Sequence, residues 1–219
     1  MNFKAENLVL RLETPHEYQA VENLTREAFW NVHVPGCDEH WLAHVLRDSA
    51  DFIPELDYVA ILGDRLVGNI MYARSRILTA GKGSVPTLTF GPVSVLPDYQ
   101  GQGIGSALIR HTLCLATGLG YESVVIYGDP EYYKRFGFLA GEIYGLLTKD
   151  GYISPALMAL ELVQGSLNNL DGRFVESDAY SLDPVAAESF EAKFPFKSKA
   201  NTPGQLRFQE LLQQSRLPD

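Results

Sequence analysis

The stretch of this chain best equipped for chemistry is Gln100-Gly101-Gln102-Gly103-Ile104-Gly105. Glycines at alternate positions let a backbone turn tightly and bring successive N–H groups close to a ligand. A β-branched, apolar segment (TLTFGPVSV, 87–95) precedes it and a helical pattern follows. At such a strand-to-helix turn, free amides and the helix dipole together suit an anion. Several converging N–H groups fit a diphosphate better than a lone carboxylate. Two familiar diphosphate motifs fail on spacing. The dinucleotide fingerprint needs glycine at 101, 103 and 106, and position 106 is Ser; a P-loop needs Gly-Lys-Ser/Thr, and Gly105 is followed by Ser106-Ala107.

The elements that must hold this turn can be read outward from it. Upstream, residues 8–13 alternate like a strand, and Thr14-Pro15-His16-Glu17 combines a capping box with proline at the first helical position. That helix runs to about Trp30, with Tyr18, Val21, Leu24 and Ala28 on one face, and a second helix spans about 38–47, with Asp38 placed as its cap. A hairpin turning at Gly63-Asp64 follows, then a Gly-rich connection and the strand 87–95. Gly91-Pro92 is awkward in a central strand, because proline cannot donate to the ladder, so a bulge or splay is expected there. After the turn comes a helix to about Leu119, with Ile104, Leu108, Leu115 and Leu119 as its stripe; this makes Cys114 a small core residue. A strand at 123–127, a short helix at about 131–135 and strands near 138–148 and 156–164 complete a mixed α/β sheet. The stretch from 168 is polar and proline-punctuated, so residues 1–167 read as one domain and 168–219 as an extension, packed on it or partly mobile.

With 219 residues, 46% hydrophobic and 21% charged, the chain has material for a substantial core. Its net charge of −9 repels phosphate backbones, which argues against nucleic-acid binding. Cys37 and Cys114 lie far apart without ligand spacing, so no metal site is expected. No apolar run approaches the ~20 residues of a membrane helix. The first fifteen residues lack a leader pattern. The expectation is a reduced, cytoplasmic protein that neither spans nor binds membranes.

The segments FGPVSVLPDYQGQGIGSALIRH and YGDPEYYKRFGF resemble the core motifs of the GNAT superfamily of acetyl-CoA-dependent N-acetyltransferases, with Gln-x-x-Gly-x-Gly after a strand and Tyr-x-x-x-Gly-Phe about 30 residues later. The resemblance implies a mixed, mostly antiparallel sheet with helices on both faces and splayed fourth and fifth strands, over about 8–165. It also implies acetyl-CoA as co-substrate. The backbone of Val93, Ser94 and Val95 would bond the pantetheine arm, and Gln100, Gly101, Gln102, Gly103, Ile104 and Gly105, with Ser106, would hold the pyrophosphate. Tyr133, four residues before Gly137, takes the place of the family's general acid, where a phenol protonated at neutral pH can donate to the departing thiolate. Arg110, Lys134 and Arg135 are cations available to the coenzyme's phosphates. The strand carboxylate that some members use as a base is missing from TLTFGPVSV, which leaves Glu27, His33, Asp38 and Glu39 as candidates. For the acceptor side the resemblance points to Glu27, Phe29, Trp30 and His33 as a wall and to Tyr72 and Phe90 as a floor. The implied acceptor is a primary amine on a small molecule or a protein, and homodimers are frequent in the family. Two alternatives stand beside transfer of an acetyl group: a non-catalytic acyl-CoA-binding regulatory module, and a transferase for a longer acyl group.

Overall fold

Threonine followed three residues later by glutamate starts the first helical segment. The Thr14 amide and hydroxyl both donate to Glu17 Oε2, at 3.0 and 2.8 Å. Arg11 clamps the same carboxylate at 2.7 and 2.6 Å. This guanidinium holds the Glu17 carboxyl down at about 2. The computed structural model describes residues 7–81 and 83–218. The first six residues of the N-terminus discussed above lie outside the described residues, as do positions 82 and 219.

In chain order the elements are β1 (Leu8–Leu12), α1 (Tyr18–Phe29), α2 (Glu39–Leu46), β2 (Tyr58–Leu62), β3 (Arg65–Thr79), β4 (Gly83–Val95), α3 (Ile104–Gly118) and β5 (Ser123–Tyr127). They continue with α4 (Pro130–Tyr133), β6 (Leu139–Ala140), β7 (Leu146–Leu147), β8 (Leu157–Glu161), β9 (Gly172–Val175), α5 (Pro184–Glu191) and α6 (Pro203–Gln213). This is a mixed α/β fold with a mostly antiparallel sheet, in which β4 and β5 pair in parallel.

The chain forms two compact units. The first holds the chain up to Tyr72, Gly91–Thr112 and Asp178–Thr202. In it β1 pairs antiparallel with β2, and β2 with β3. Helices α1 and α2 pack together, burying Val21, Leu24 and Ala28 from one and Ala43 and Leu46 from the other. Of these, each valine or leucine side chain contributes about 1.5–3 kcal/mol by its burial. Between these elements the Arg47 guanidinium bonds Glu13 and Glu22 at 2.8 and 3.1 Å.

The second unit holds Ala73–Phe90, Leu113–Ser177 and the chain from Pro203 onward. Here the strand order is β3-β4-β5-β8-β6, and β9 pairs antiparallel with β3 and parallel with β7. A 3-10 turn, Gly141–Tyr144, links β6 to β7, and the core of this unit gathers Ile77, Val125, Leu146, Leu157, Ala159, Leu167, Leu170 and Phe174. Gly172 permits the close approach of β9 to β3: a Cβ there would lie 2.6 Å from Ile77 Cγ2 and 2.7 Å from the Leu78 carbonyl oxygen.

Three expectations are corrected. The 138–148 segment is not one strand, because Gly141 and Gly145 (φ +69°) break it into two-residue pieces around the turn. The region near 80–86 is not a Gly-rich connection. β3 runs to Thr79 and β4 starts at Gly83, since β9 gives the far half of β3 a partner. Finally, α3 buries Ile104, Leu108, Ile109, Thr112, Leu113 and Ala116, which rotates Cys114 and Leu119 outward. The stretch from 168 supplies β9, α5 and α6; α5 starts with Pro184, and the Asp183 carboxylate accepts from the Val185 amide at 2.9 Å. Among the described residues no helix is long and apolar enough to cross a membrane.

Candidate active site

In the first unit, the turn entering α3 is braced by its own glutamines. After β4 the Leu96 amide donates to Val67 O (3.0 Å), and a 3-10 turn, Pro97–Tyr99, redirects the chain. Gln100 Nε2 donates to Val95 O and Gln102 Nε2 to Asp98 O, each at 3.0 Å. Gly101 and Gly103 have φ of +73° and +89°, the left-handed region that favours glycine. A Cβ on either would meet no atom within 4 Å, so this side of the turn is open. Ile104 is buried and anchors the helix start beside Gly68, where a Cβ would come within 3.1–3.2 Å of Leu108, Ser94 O and Ile104. The Ala107 amide reaches Gly103 O at 2.9 Å. The preceding amides at Ile104, Gly105 and Ser106 have no carbonyl within the helix to accept them. The result is an open, positively polarised rim fixed to a rigid base, suited to an anion with several oxygens.

Directly upstream, Ser94 is buried and its hydroxyl donates to Thr25 Oγ1 at 2.9 Å, fixing the strand to α1 while Val93 and Val95 are half-buried. The Gly91–Pro92 peptide is cis, and the Gly91 carbonyl accepts from the Tyr180 hydroxyl at 3.0 Å. Tyr72 is fully buried with its hydroxyl 2.9 Å from Thr112 Oγ1, inside the core rather than at a surface.

The acceptor-side candidates on α1 and the loop after it are engaged by residues 190–202 of the same unit. Lys197 Nζ donates to Glu27 Oε2 (2.6 Å), and Trp30 Nε1 to Ser198 O (3.0 Å). Asn31, in the left-handed region at φ +60°, accepts from the Gly36 and Ala200 amides through its side chain. Arg26, buried beneath, bonds Glu191 at 2.9 and 2.5 Å and Pro195 O at 2.9 Å. His40 Nε2 lies 3.0 Å from Glu191 Oε2 without hydrogen-bond alignment, and burial lowers the imidazole to about 4, which leaves it neutral at pH 7. The ring of Phe29 stands 5.9 Å from that of His33, whose pKa burial also lowers. Asp38 holds the N-cap position of α2 without a side-chain cap bond. Beside it burial raises the Glu39 carboxyl to about 7.

In the second unit, Tyr133 closes α4. Asp129 caps that helix by accepting from the Glu131 amide at 2.9 Å, and its other oxygen accepts from Arg207 of α6 at 2.8 Å. Gly137, at φ +93°, ends the 3-10 turn that follows. The Tyr133 ring lies 5.9 Å from Phe90, 5.8 Å from Phe138 and 5.0 Å from Tyr132. Its far edge rests on Gly128, where a Cβ would be 2.3 Å from Tyr133 Cε2. Burial, then the neighbouring Tyr132 and Asp129, push the phenol above its ordinary value and keep it protonated at neutral pH. Of the candidate cations, Lys134 is paired with Glu131 at 2.5 Å and Arg135 lies 4.7 Å over the Tyr132 ring.

Sequence reasoning missed two polar residues of this unit. Ser75 on β3 is buried, with no hydrogen-bond partner for its Oγ among the described residues. Glu176 directly follows β9, and burial raises its carboxyl to about 7. Glycine spacing signals a ligand turn locally, whereas Ser75 and Glu176 are related only through strand pairing. No group of three or more His, Cys, Asp or Glu able to hold a metal occurs among the described residues.

A parallel β4–β5 pair within a mostly antiparallel sheet, with an amide-rimmed turn after β4, is the mixed α/β arrangement that the resemblance implies. Comparison with known proteins agrees. The sequence profile described as "Acetyltransferase (GNAT) domain" matches residues 10–141. The chain belongs to the GNAT acetyltransferase family. It is 26% identical over 166 residues to the uncharacterized N-acetyltransferase YhbS of Escherichia coli K12, a match covering 75% of this chain and 93% of YhbS. Over 98 residues it is 33% identical to the uncharacterized N-acetyltransferase YjhQ of the same strain, covering 44% of this chain and 52% of YjhQ. The crystal structure of Escherichia coli YhbS in complex with CoA superposes with a TM-score of 0.70 at 24% identity, over 80% of this chain and 93% of that one. A GNAT family acetyltransferase from Brucella melitensis in complex with acetyl-CoA gives 0.62 at 27% identity, over 79% and 97%.

Proposed function

We propose that this protein is an acetyl-CoA-dependent N-acetyltransferase that moves an acetyl group to a primary amine by direct attack. The observation that carries the reading is the turn entering α3. Its left-handed glycines expose backbone amides on a side where no protein atom packs. A Cβ at 101 or 103 would occupy the space a diphosphate needs. The CoA and acetyl-CoA bound by two structural relatives supply the matching ligand class.

On this reading the amides of 101–106 hold the pyrophosphate, and the strand backbone at Val93, Ser94 and Val95 orients the pantetheine arm. Coenzyme A presents the acetyl group as a thioester, an acyl donor that an amine attacks once it is neutral. Tyr133 keeps its proton until a thiolate leaves and then donates it. Burial suits the phenol to that task, because it resists ionisation before the reaction yet meets a developing anion at the sulfur. Most of the acceleration comes from holding thioester and amine together. The amine itself approaches the face bordered by α1, where Glu27, Phe29, Trp30 and His33 reside. Tyr72, its hydroxyl 2.9 Å from Thr112 Oγ1, underlies the strand.

The test is thiol release from acetyl-CoA across a panel of primary amines: 2-phenylethylamine, spermidine, an aminoglycoside and a peptide with free α- and ε-amines. An amine-dependent rate is expected, with a matching 42 Da gain on the amine. Tyr133→Phe should lower kcat by about 10²-fold with little change in acetyl-CoA affinity. Tight coenzyme binding without turnover on any amine would instead identify a binding module. Faster transfer from a longer acyl-CoA would redefine the donor.

A further inference from the structure

Helix α2 carries two histidines in contrasting settings. His44 meets Glu22 Oε1 through Nδ1 at 2.8 Å, and 43% of its side chain is exposed. His40, one turn earlier, is fully buried. Its roof comes from the chain after residue 189. The His40 ring lies 5.5 Å from that of Phe190 and meets that of Phe194 edge to face at 5.0 Å. Both rings belong to the first unit, as His40 does.

The atoms around the imidazole give a positive ring little support. Glu191 Oε2 stands 3.0 Å from Nε2, but Arg26 already holds that carboxylate at 2.9 and 2.5 Å. On the other side Cys37 Sγ lies 3.6 Å from Nδ1. Burial lowers the imidazole, Glu191 opposes that and Arg26 reinforces it, which leaves the group at about 4. Further out on the packed elements lie Glu22 and Glu27 of α1, Glu39 and His44 of α2, and Glu188 of α5. Lys193 follows α5, with its ammonium 5.0 Å from the Phe190 ring. The 3-10 turn Asp178–Tyr180, which also packs on α2, carries the exposed Asp178.

Beyond Phe194 polar contacts tie the chain down at intervals. Pro195 O accepts from Arg26 and Ser198 O from Trp30, while the Ala200 amide donates to Asn31. Phe196, between the first two ties, is 93% exposed and buries almost nothing. Ring packing by this segment therefore centres on Phe190 and Phe194, the two residues that cover His40. Lifting them opens the imidazole to water. Lys197 and Ser198 leave with the segment, so Glu27 and Trp30 of α1 are uncovered in the same event.

We infer that His40 is a proton-operated latch: its neutral ring lets residues 190–202 close over α1 and α2, and its protonation favours the state in which they have lifted away. The inference goes beyond the transferase reading and does not depend on it. A histidine in water titrates near 6.5. Covered, this one titrates at about 4, so opening takes up a proton between those values. The closed state is favoured fully above about 6.5, loses ground as pH falls below it, and reaches its limit near 4. Between pH 7 and pH 5 the opening constant grows by about 20-fold.

The experiment is hydrogen exchange on the full chain at pH 7 and pH 5, corrected for the intrinsic pH dependence of amide exchange. Wild type, His40→Gln and His44→Gln are compared. The reporters are the amides of Ala187, Ala192, Lys193 and Phe194, each bonded to a carbonyl three or four residues back. In wild type and His44→Gln their opening constant should be about 20-fold larger at pH 5. In His40→Gln, which stays neutral throughout, it should change by less than twofold. The β1–β2 amides should not share the rise. No rise in the wild type, the same rise in His40→Gln, or an equal rise across β1 and β2 would overturn the latch. If His40→Gln is loose at both pH values, an NMR titration of the wild-type ring decides. A His40 ring still neutral at pH 6 supports the latch, and one that titrates near 6.5 under an unbroken cover refutes it. Amine turnover enters none of these readouts, so a failure of the transferase reading is scored separately.

Discussion

Gly128→Ala tests whether the placement of Tyr133 matters more than its mere presence. The new methyl would lie 2.3 Å from Tyr133 Cε2, 2.5 Å from Cδ2 and 3.3 Å from Cζ. Ordinary carbon contacts are about 3.5–4.0 Å, so the ring must retreat by roughly 1.2 Å or more. It has little room, because Phe90, Phe138 and Tyr132 stand around it with centroids 5.0–5.9 Å away. A displacement of about 1 Å at a reacting group costs on the order of 10²-fold in rate. Overpacking of this kind costs about 1–3 kcal/mol, a fall in Tm of roughly 2–12 °C for a chain of this length. The assay is amine-dependent thiol release, with calorimetry for coenzyme affinity. Gly128→Ala should resemble Tyr133→Phe in kcat and leave coenzyme affinity unchanged. The double variant should be no slower than the worse single one, because both remove the same proton donor. Full activity in Gly128→Ala, or losses that multiply in the double variant, would refute the reasoning.

Other consequences follow from the first unit. Arg26→Ala strands the Glu191 carboxylate beside a neutral His40 and frees Pro195 O; because the Arg26 side chain is only 5% exposed, urea denaturation should register a loss of about 3–5 kcal/mol. Limited proteolysis should then cut between 192 and 202, whereas a change under about 1 kcal/mol would show that these residues are not held by the pair. Glu17 is depressed to about 2 by Arg11, so its stabilisation is present above about pH 4.5 and fades as pH falls through about 2. With Arg11 partly exposed, Glu17→Gln should cost about 1–2 kcal/mol at pH 7, and its deficit should vanish near pH 2 in thermal melts.

Features carried by neighbouring residues were legible in the sequence. The capping box at Thr14, the hairpin at Gly63-Asp64 and the glycine turn at 101–105 each depend on a few adjacent positions. All three form where their residues stand. The helix stripe on α3 was harder to read, because apolar residues at 108, 109, 113, 115 and 119 satisfy more than one face; packing of Ile104 and Leu108 beside Gly68 selects one and turns Cys114 outward. The burial of Tyr72 was not legible either, because its hydroxyl partner, Thr112, lies forty residues on. The stretch from 168 reads as a polar, proline-punctuated extension, and nothing local in it announces that Phe174 enters the core or that Gly172 allows β9 to approach Ile77. That pairing joins residues a hundred positions apart, which no local pattern encodes. Ser75 and Glu176 stayed invisible for the same reason. The tie between Arg26 and Glu191 spans 165 positions and was equally out of reach.

The central claim is that the α3 entry turn binds a diphosphate through its amides, and Ser106→Glu tests it without damaging the fold. An acidic side chain in a helix's first turn favours the dipole and stabilises the helix by about 0.3–1 kcal/mol. The same charge would repel a pyrophosphate held by those amides. Calorimetric titration with acetyl-CoA should give one-site binding in the wild type and at least tenfold weaker binding in Ser106→Glu, whose Tm is equal or higher. No heat with the wild type, or equal affinity in the two proteins, would contradict the account.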